Sequence, residues 1–127
     1  MKTPQDFTVL IVDDEELLRE SIIFDFKRKG FKVLSAANGT VAFEIFQTNS
    51  VDLVLSDIRM PGGDGIFLLK KIHARGGQIP VVIFMTGFSE VAPEDVTALG
   101  VRKIITKPFE RKELMSMIFE MLGLPFP

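Results

Sequence analysis

The stretch Val51–Gly65 reads VDLVLSDIRMPGGDG and decides the fold of this chain. Its apolar run Leu53–Leu55 predicts a buried strand that ends at Asp57. In open parallel α/β sheets, ligands bind at the carboxyl ends of the strands, which is where this prediction places Asp57. The Met-Pro-Gly-Gly segment that follows is typical of a turn, and Asp64 can cap a helix that starts near Gly65. Taken alone, Asp57 fits a turn or capping residue better than a functional one, so its meaning depends on the rest of the chain.

An alternation of strand and helix repeats along the whole chain. Apolar runs rich in β-branched residues predict four further strands, at Thr8–Val12, Lys32–Ala36, Val81–Thr86 and Lys103–Thr106. Apolar residues at helical spacing predict helices at Glu15–Lys29, Val41–Thr48, Gly65–Ala74, Pro93–Leu99 and Glu110–Leu122. Five such repeats predict an α/β fold, a doubly wound five-stranded parallel sheet with helices on both faces. Right-handed crossovers favour the flavodoxin-like strand order 2-1-3-4-5.

Length and composition favour a single domain that spans residues 1–127. The chain is 46% hydrophobic and 25% charged, which suits one globular core, expected over about residues 7–122. Residues 123–127 are interpreted as a tail or the start of a linker. The absence of cysteine excludes disulfides and thiol chemistry, and the net charge of −2 gives no basic surface for direct nucleic-acid binding. No apolar run is long enough for a membrane span or a signal peptide, so a cytoplasmic location is expected.

Several polar side chains fall where the predicted strands end. Asp13 and Asp14 follow the first strand, Asp57 ends the third, Thr86 ends the fourth and Lys107 follows the fifth. Carboxylates gathered on one sheet edge repel one another, and Mg²⁺, which binds carboxylates, waters and phosphate oxygens, would relieve that repulsion. An ammonium and a hydroxyl beside them can bind phosphoryl oxygens, and an aspartate is an accepted phosphoryl acceptor. The pattern therefore favours phosphoryl transfer, although each residue alone also has a structural explanation, such as Asp14 capping the first helix.

Four motifs lie in order at these strand ends: IVDDE at Ile11–Glu15, SDIRMPGGDG at Ser56–Gly65, MTG at Met85–Gly87 and TKPF at Thr106–Phe109. In this combination the chain resembles the receiver domains of response regulators, and it is similar to the single-domain chemotaxis regulators. The resemblance extends over about residues 7–122. It implies a phosphoacceptor domain of a two-component signal transduction system. Such a domain catalyses its own phosphorylation and slow dephosphorylation but is not an enzyme acting on an external substrate.

The resemblance also implies a role for each motif residue. Asp57 matches the phosphoacceptor. Asp13 and Asp14 match the acidic pair that holds Mg²⁺ together with Asp57, and the backbone carbonyl of Arg59 matches a further metal ligand.

The remaining motif residues match the switch that responds to the phosphoryl group. Thr86 matches the switch hydroxyl. Lys107 matches the lysine that pairs with the phosphoryl group, and the peptide bond to Pro108 is usually cis in this family. The implied phosphodonor partner is a sensor histidine kinase or a phosphotransfer protein. The only histidine, His73, is expected to be exposed, with no phosphohistidine or metal role.

Two departures from the family pattern bear on switching and on the lifetime of the phosphoryl group. Ile104 stands three residues before the lysine, where the family often carries the aromatic residue that turns inward on activation. Phe88 and Arg59, two residues after Thr86 and Asp57 respectively, are placed to shield an acyl phosphate from water.

Two other classes of function remain open from sequence alone. A phosphohydrolase of the haloacid-dehalogenase type would need a second Asp two residues after the nucleophile, and Arg59 occupies that place. A phosphate-independent interaction module is the other alternative, and the complete acidic set argues against it. A nucleotide-binding domain is disfavoured because no glycine-rich turn follows the first strand.

The last predicted helix carries more apolar residues than one buried stripe requires. Seven of the nine residues from Leu114 to Leu122 are apolar, while Ser116 and Glu120 continue a polar stripe from Lys112. One interpretation is a deeply seated helix in which methionines fill gaps. The other is an exposed face for a homodimer or output partner, formed by the fourth helix, fifth strand and fifth helix, as the resemblance also implies.

Overall fold

A five-stranded parallel sheet forms the centre of the computed structural model, which describes residues 1–87 and 98–127. Its strands run in the order β2-β1-β3-β4-β5. They are β1 (Thr8–Val12), β2 (Lys32–Ala36), β3 (Leu53–Asp57), β4 (Val81–Thr86) and β5 (Lys103–Thr106). The predicted flavodoxin-like order and the strand bounds are confirmed.

Helices follow the strands within two residues of the predicted bounds. They are α1 (Glu16–Arg28), α2 (Gly39–Thr48), α3 (Gly65–Arg75) and a C-terminal helix (Arg111–Met121), with a short 3₁₀ helix at Pro4–Asp6 that the sequence did not reveal. α2 begins earlier than predicted because Asn38 caps it and accepts the Val41 N–H at 2.9 Å. Asp64 caps α3 as predicted, accepting the Phe67 N–H. The predicted helix at Pro93–Leu99 lies almost wholly outside the described residues.

Side chains of β1 alternate between two hydrophobic clusters, one on each face of the sheet. Val9 and Ile11 lie on the face covered by α1 and the C-terminal helix. Leu10 and Val12 lie on the face covered by α2 and α3. All five residues of β3 are buried, as expected of a central parallel strand with helices on both sides. Asp57 is thus carried by the most enclosed strand of the sheet.

The surplus apolar residues of the C-terminal helix are largely core residues. Met115 and Phe119 are both buried, and the polar stripe of Lys112, Ser116 and Glu120 is exposed. The Phe119 ring meets the rings of Phe31 and Phe126 at centroid distances of 5.5 and 5.2 Å. The interpretation as a deeply seated helix is therefore correct for these two residues, while Met117 remains half-buried.

Residues after the C-terminal helix fold back against it. Leu124 is buried, and its N–H donates to the Phe119 carbonyl at 2.8 Å. This return requires Gly123, whose φ of +73° lies in the left-handed region that favours glycine. The first part of the expected tail thus contributes to the core.

We predict that Phe119→Ala lowers the free energy of unfolding by about 3–5 kcal/mol, because it removes a fully packed ring from the core. Phe24→Ala is the matched control, since Phe24 is 58% exposed and its truncation should cost less than about 1 kcal/mol. Urea denaturation of both variants measures the difference. Equal losses in the two variants would contradict the assigned packing of the C-terminal helix.

Candidate functional site

The carboxyl ends of β1, β3, β4 and β5 bring the polar residues of the four motifs to one edge of the sheet. Asp13 and Asp14 follow β1, and Lys107 follows β5. A cleft of about 230 Å³ at this edge is lined by Glu15, Asp57, Arg59, Thr86, Gly87 and Lys107. Residues separated by up to 94 positions in the chain thus meet in one place.

The Lys107 ammonium bridges the carboxylates of this edge. Its Nζ donates to Asp13 Oδ2 and to Asp57 Oδ2, each at 3.0 Å, and to Glu15 Oε1 at 3.4 Å. Burial alone would lower the pKa of Lys107, but the hydrogen bonds to Asp13 and Asp57 outweigh burial and raise that pKa above its ordinary value. The ammonium therefore stays charged at neutral pH.

Asp57 is a buried carboxylate, 8% exposed. Burial raises its pKa above the ordinary value, the hydrogen bond from Lys107 opposes that rise, and the charges of Asp13 and Asp14 add to it. A raised pKa makes the ionised carboxylate more basic, which suits a nucleophile as long as it stays ionised at neutral pH.

Asp13 is held on both of its carboxylate oxygens. Oδ1 accepts the Glu15 N–H at 2.8 Å, and Oδ2 accepts from Lys107. The Arg19 guanidinium donates to the Asp13 backbone carbonyl at 2.6 Å. The capping role considered for Asp14 is wrong, because Glu15 occupies the N-cap position of α1 and Asp14 is exposed. Sequence reasoning missed Arg19 as a site residue and gave no role to Glu15, the last residue of the first motif, since nothing in their spacing identifies these contacts.

Thr86 and Lys107 line the same cleft and are joined by a backbone hydrogen bond. The Lys107 N–H donates to the Thr86 carbonyl at 2.8 Å, and the Thr86 hydroxyl donates to the Gly87 carbonyl at 3.2 Å. The Lys107–Pro108 peptide bond is cis, as the resemblance implied. Phe88, expected to shield the site, lies outside the described residues.

The acidic side chains fit a divalent metal ion. One carboxylate oxygen each from Asp13, Asp14 and Asp57 can be chosen so that all three atoms lie within 4.8 Å of one another. Hard oxygen ligands of this kind suit Mg²⁺, which takes one or two carboxylates and fills its other positions with water or phosphate oxygens. Arg59 lines the same cleft, so the predicted metal-binding residues share one location.

Comparison with known proteins identifies the family. Residues 9–119 match the family model for the response regulator receiver domain. The chain belongs to this family. It is thus a receiver domain of two-component signal transduction, and the phosphohydrolase considered as an alternative is not supported.

Relatives and solved structures agree with this family. The chain is 32% identical over 111 residues to the sensory transduction protein RegX3 of Mycolicibacterium smegmatis, covering 87% of this chain and 48% of RegX3. It therefore spans about half the length of that relative. A CheY-like receiver domain from Methanospirillum hungatei superposes with a TM-score of 0.82 at 26% identity, covering 91% of this chain and 94% of that one. A chain of the CheX–CheY complex with BeF₃ and Mg²⁺ from Borrelia burgdorferi is also similar, with a TM-score of 0.78 and 27% identity, covering 91% of this chain and 89% of that one.

Two further observations concern residues outside the cleft. His73 is exposed, and its Nε2 lies 2.6 Å from the Leu99 carbonyl oxygen, to which it donates. Within residues 1–87 and 98–127, no helix combines the length and apolarity that a membrane crossing demands.

We predict that Asp57→Asn raises the melting temperature at pH 7. The raised pKa of Asp57 means that its stabilising contribution is full below the unfolded-state value, ordinarily near 3.8, and is lost as pH rises through the folded-state pKa. The gain in melting temperature from the neutral amide should therefore shrink as the pH falls through the folded-state pKa of Asp57, and it should be absent below the unfolded-state value. Thermal unfolding across this pH range measures the effect.

Asp14→Asn is the control for this measurement, because it removes one charge from the same cluster at an exposed position. Its gain should be smaller. An equal gain would assign the effect to charge crowding rather than to burial, and no gain in Asp57→Asn would show that Lys107 fully offsets the cost of burial.

Proposed function

We propose that Asp57 accepts a phosphoryl group from the phosphohistidine of a sensor histidine kinase or a phosphotransfer protein, in a Mg²⁺-dependent reaction in the cytoplasm. The observation that carries this proposal is the Lys107 ammonium held between the Asp13 and Asp57 carboxylates at the edge of a receiver-domain sheet. These contacts support the proposal because they bring the proposed nucleophile Asp57 and the proposed metal ligand Asp13 onto one fixed cation.

The proposed reaction transfers a phosphoryl group between two side chains. A carboxylate oxygen of Asp57 attacks phosphorus, an O–P bond forms, and the N–P bond of the donor breaks. The bonding electrons leave with the donor imidazole, which then takes up a proton from water. Transfer of this kind needs mainly positioning and charge stabilisation, which the burial of Asp57 on β3 and the charge of Lys107 would supply.

Asp13, Asp14, Asp57 and the backbone carbonyl of Arg59 would hold the Mg²⁺. When bound, Mg²⁺ neutralises negative charge on the transferring phosphoryl oxygens. Support comes from the short separation of the three carboxylates and from the CheX–CheY complex with BeF₃ and Mg²⁺, in which a similar chain accompanies both groups. Lys107 would exchange its bond to Asp57 for one to a phosphoryl oxygen.

The signal to a binding partner would arise from this exchange at Lys107, together with the switch hydroxyl of Thr86. Pro108 and Phe109 follow Lys107 directly and line a second cleft of about 470 Å³ between β5 and the C-terminal helix, which we call the β5 cleft. The half-buried Met117 lies in the same cleft. A shift of Lys107 toward a phosphoryl group would therefore move the next two residues, Pro108 and Phe109, and so change the partly apolar surface of the β5 cleft. A homodimer or an output partner would bind this surface preferentially in one of the two states.

We predict that incubation with acetyl phosphate and Mg²⁺ adds one phosphoryl group to the wild-type protein. Asp57→Asn should abolish this addition, because it removes the nucleophilic carboxylate. Omission of Mg²⁺ should also prevent it, since an anionic donor meets uncompensated carboxylates. Intact-mass spectrometry measures the product. Asp52→Asn is the control, because Asp52 directly precedes β3, at the opposite end of the strand from Asp57.

Labelling of Asp57→Asn at the wild-type level would remove Asp57 from its proposed role. A wild type that takes up no phosphoryl group, while still folding and binding Mg²⁺, would favour the phosphate-independent interaction module.

We predict that beryllofluoride, a phosphoryl mimic, promotes dimerisation through the β5 cleft, and that Met117→Glu prevents it by placing a charge there. Met121→Glu is the matched control, because Met121 is half-buried in a different cleft, beside Phe7 and Leu122. Sedimentation with and without the mimic measures the assembly. A wild type that stays monomeric in both states would contradict dimerisation through this surface.

A further inference from the structure

Two backbone hydrogen bonds fix the base of the loop between β3 and α3, one to β4 and one across the loop itself. The Ile58 N–H donates to the Met85 carbonyl at 3.0 Å, and the Gly65 N–H donates to the Ile58 carbonyl at 2.8 Å. The closure is so tight that a Cβ on Gly65 would lie 2.5 Å from the Asp57 carbonyl oxygen. Arg59, whose carbonyl is a proposed metal ligand, lies just beyond this base.

The tip of the same loop is attached to the first turn of α2. The Thr40 hydroxyl donates to the Gly62 carbonyl at 2.7 Å, and the Gly39 N–H donates to the Gly63 carbonyl at 2.7 Å. We call these two hydrogen bonds the α2 latch. The approach depends on glycine at 39, because a Cβ there would lie 2.8 Å from the carbonyl oxygens of Gly63 and Asp64.

The loop needs such an attachment because its own sequence does not fix its shape. Gly62 and Gly63 have φ values of +81° and +111°, and consecutive glycines are the most conformationally free residues in a chain. Met60 is buried and anchors the loop at one point. The latch constrains the two glycines between that anchor and α3.

We propose that Thr40 is a positioning residue for the metal site, since its hydroxyl holds the loop that carries the Arg59 carbonyl. This inference rests on the proposed Mg²⁺ site. Thr40 itself is an exposed residue in the first turn of α2. Its effect would reach the ion through the backbone of residues 59–62.

The chemistry of Mg²⁺ makes this role measurable. Mg²⁺ requires near-ideal octahedral geometry at about 2.0–2.1 Å, whereas Ca²⁺ accepts flexible geometry at about 2.3–2.6 Å. A carbonyl ligand that is less well fixed should therefore weaken Mg²⁺ binding more than Ca²⁺ binding. A general loss of stability would not change the ratio of the two affinities in the folded protein.

The test is calorimetric titration of MgCl₂ and CaCl₂ into the wild type and five variants. Thr40→Val keeps the shape of the side chain but replaces the hydroxyl by a methyl group. Thr40→Ala removes both the hydroxyl and the methyl group. Both should weaken Mg²⁺ binding by about 10-fold, the lower end of the effect of removing a partner of a metal ligand. The loss of Ca²⁺ affinity should be smaller, so that the ratio of the two affinities changes.

Two further variants serve as controls. Thr40→Ser retains the hydroxyl and should bind Mg²⁺ as the wild type does. Thr48→Val makes the same change on the same helix, at a hydroxyl that bonds to the Ile45 carbonyl at 3.4 Å within α2, and should also leave both affinities unchanged.

Wild-type affinities for both ions in Thr40→Val and Thr40→Ala would overturn the proposal, as would an equal loss of Mg²⁺ and Ca²⁺ affinity in both variants. A failure of the metal site itself gives a different result. If the double variant Asp13→Ala with Asp14→Ala binds Mg²⁺ as the wild type does, or the wild type does not bind it, the proposed Mg²⁺ site is wrong and the role of Thr40 falls with it.

Discussion

The Lys107 ammonium compensates the negative charges that the fold brings together at one edge of the sheet. Parallel strands all end on the same side, so acidic residues that follow β1 and end β3 must come close together. Burial removes the hydration of the Asp13 and Asp57 carboxylates, and without a cation between them the two charges would also repel each other. The bonds from Lys107 Nζ to both, at 3.0 Å, offset this cost. The site is therefore held together by the same Lys107 contacts for which the proposed phosphoryl group would compete.

Two kinds of contact shape the cleft: close backbone approaches at glycines, and side-chain hydrogen bonds to backbone carbonyls. Glycines 39 and 65 permit backbone approaches that any side chain would block, and these approaches fix the loop after Asp57. The hydrogen bonds of Arg19 and Thr40 end on backbone carbonyls of distant or irregular segments. A carbonyl acceptor leaves no mark on the residue type that carries it, so such contacts become visible only in the folded chain.

Prediction from sequence succeeded where local chemistry and the long-range fold agree. The bounds of β1 and β4 were predictable because runs of β-branched and apolar residues end abruptly at Asp13 and Gly87. The start of α2 was misplaced because Asn38–Gly39 is equally good turn and capping chemistry. The burial of Phe119 was left open, since its partners Phe31 and Phe126 come from other segments. The motif residues were found by the order of their motifs. The contacts of Glu15, which ends the first motif, and of Arg19 were not predicted, because charged residues are common in and beside the first turns of exposed helices.

The aliphatic residue at 104 constrains how a signal could leave the site. Ile104 pairs in register with Phe84 and packs with the cluster beneath α2 and α3. Ile105 and Phe109 pack with the cluster on the opposite face, where the β5 cleft lies. Because side chains alternate along a strand, a change at Ile104 acts on the wrong face for that cleft. The proposed route from Lys107 through Pro108 to Phe109 avoids this position altogether. Because the proposed route starts from the change of partners at Lys107, an aromatic residue at 104 is not needed for the signal to reach the β5 cleft.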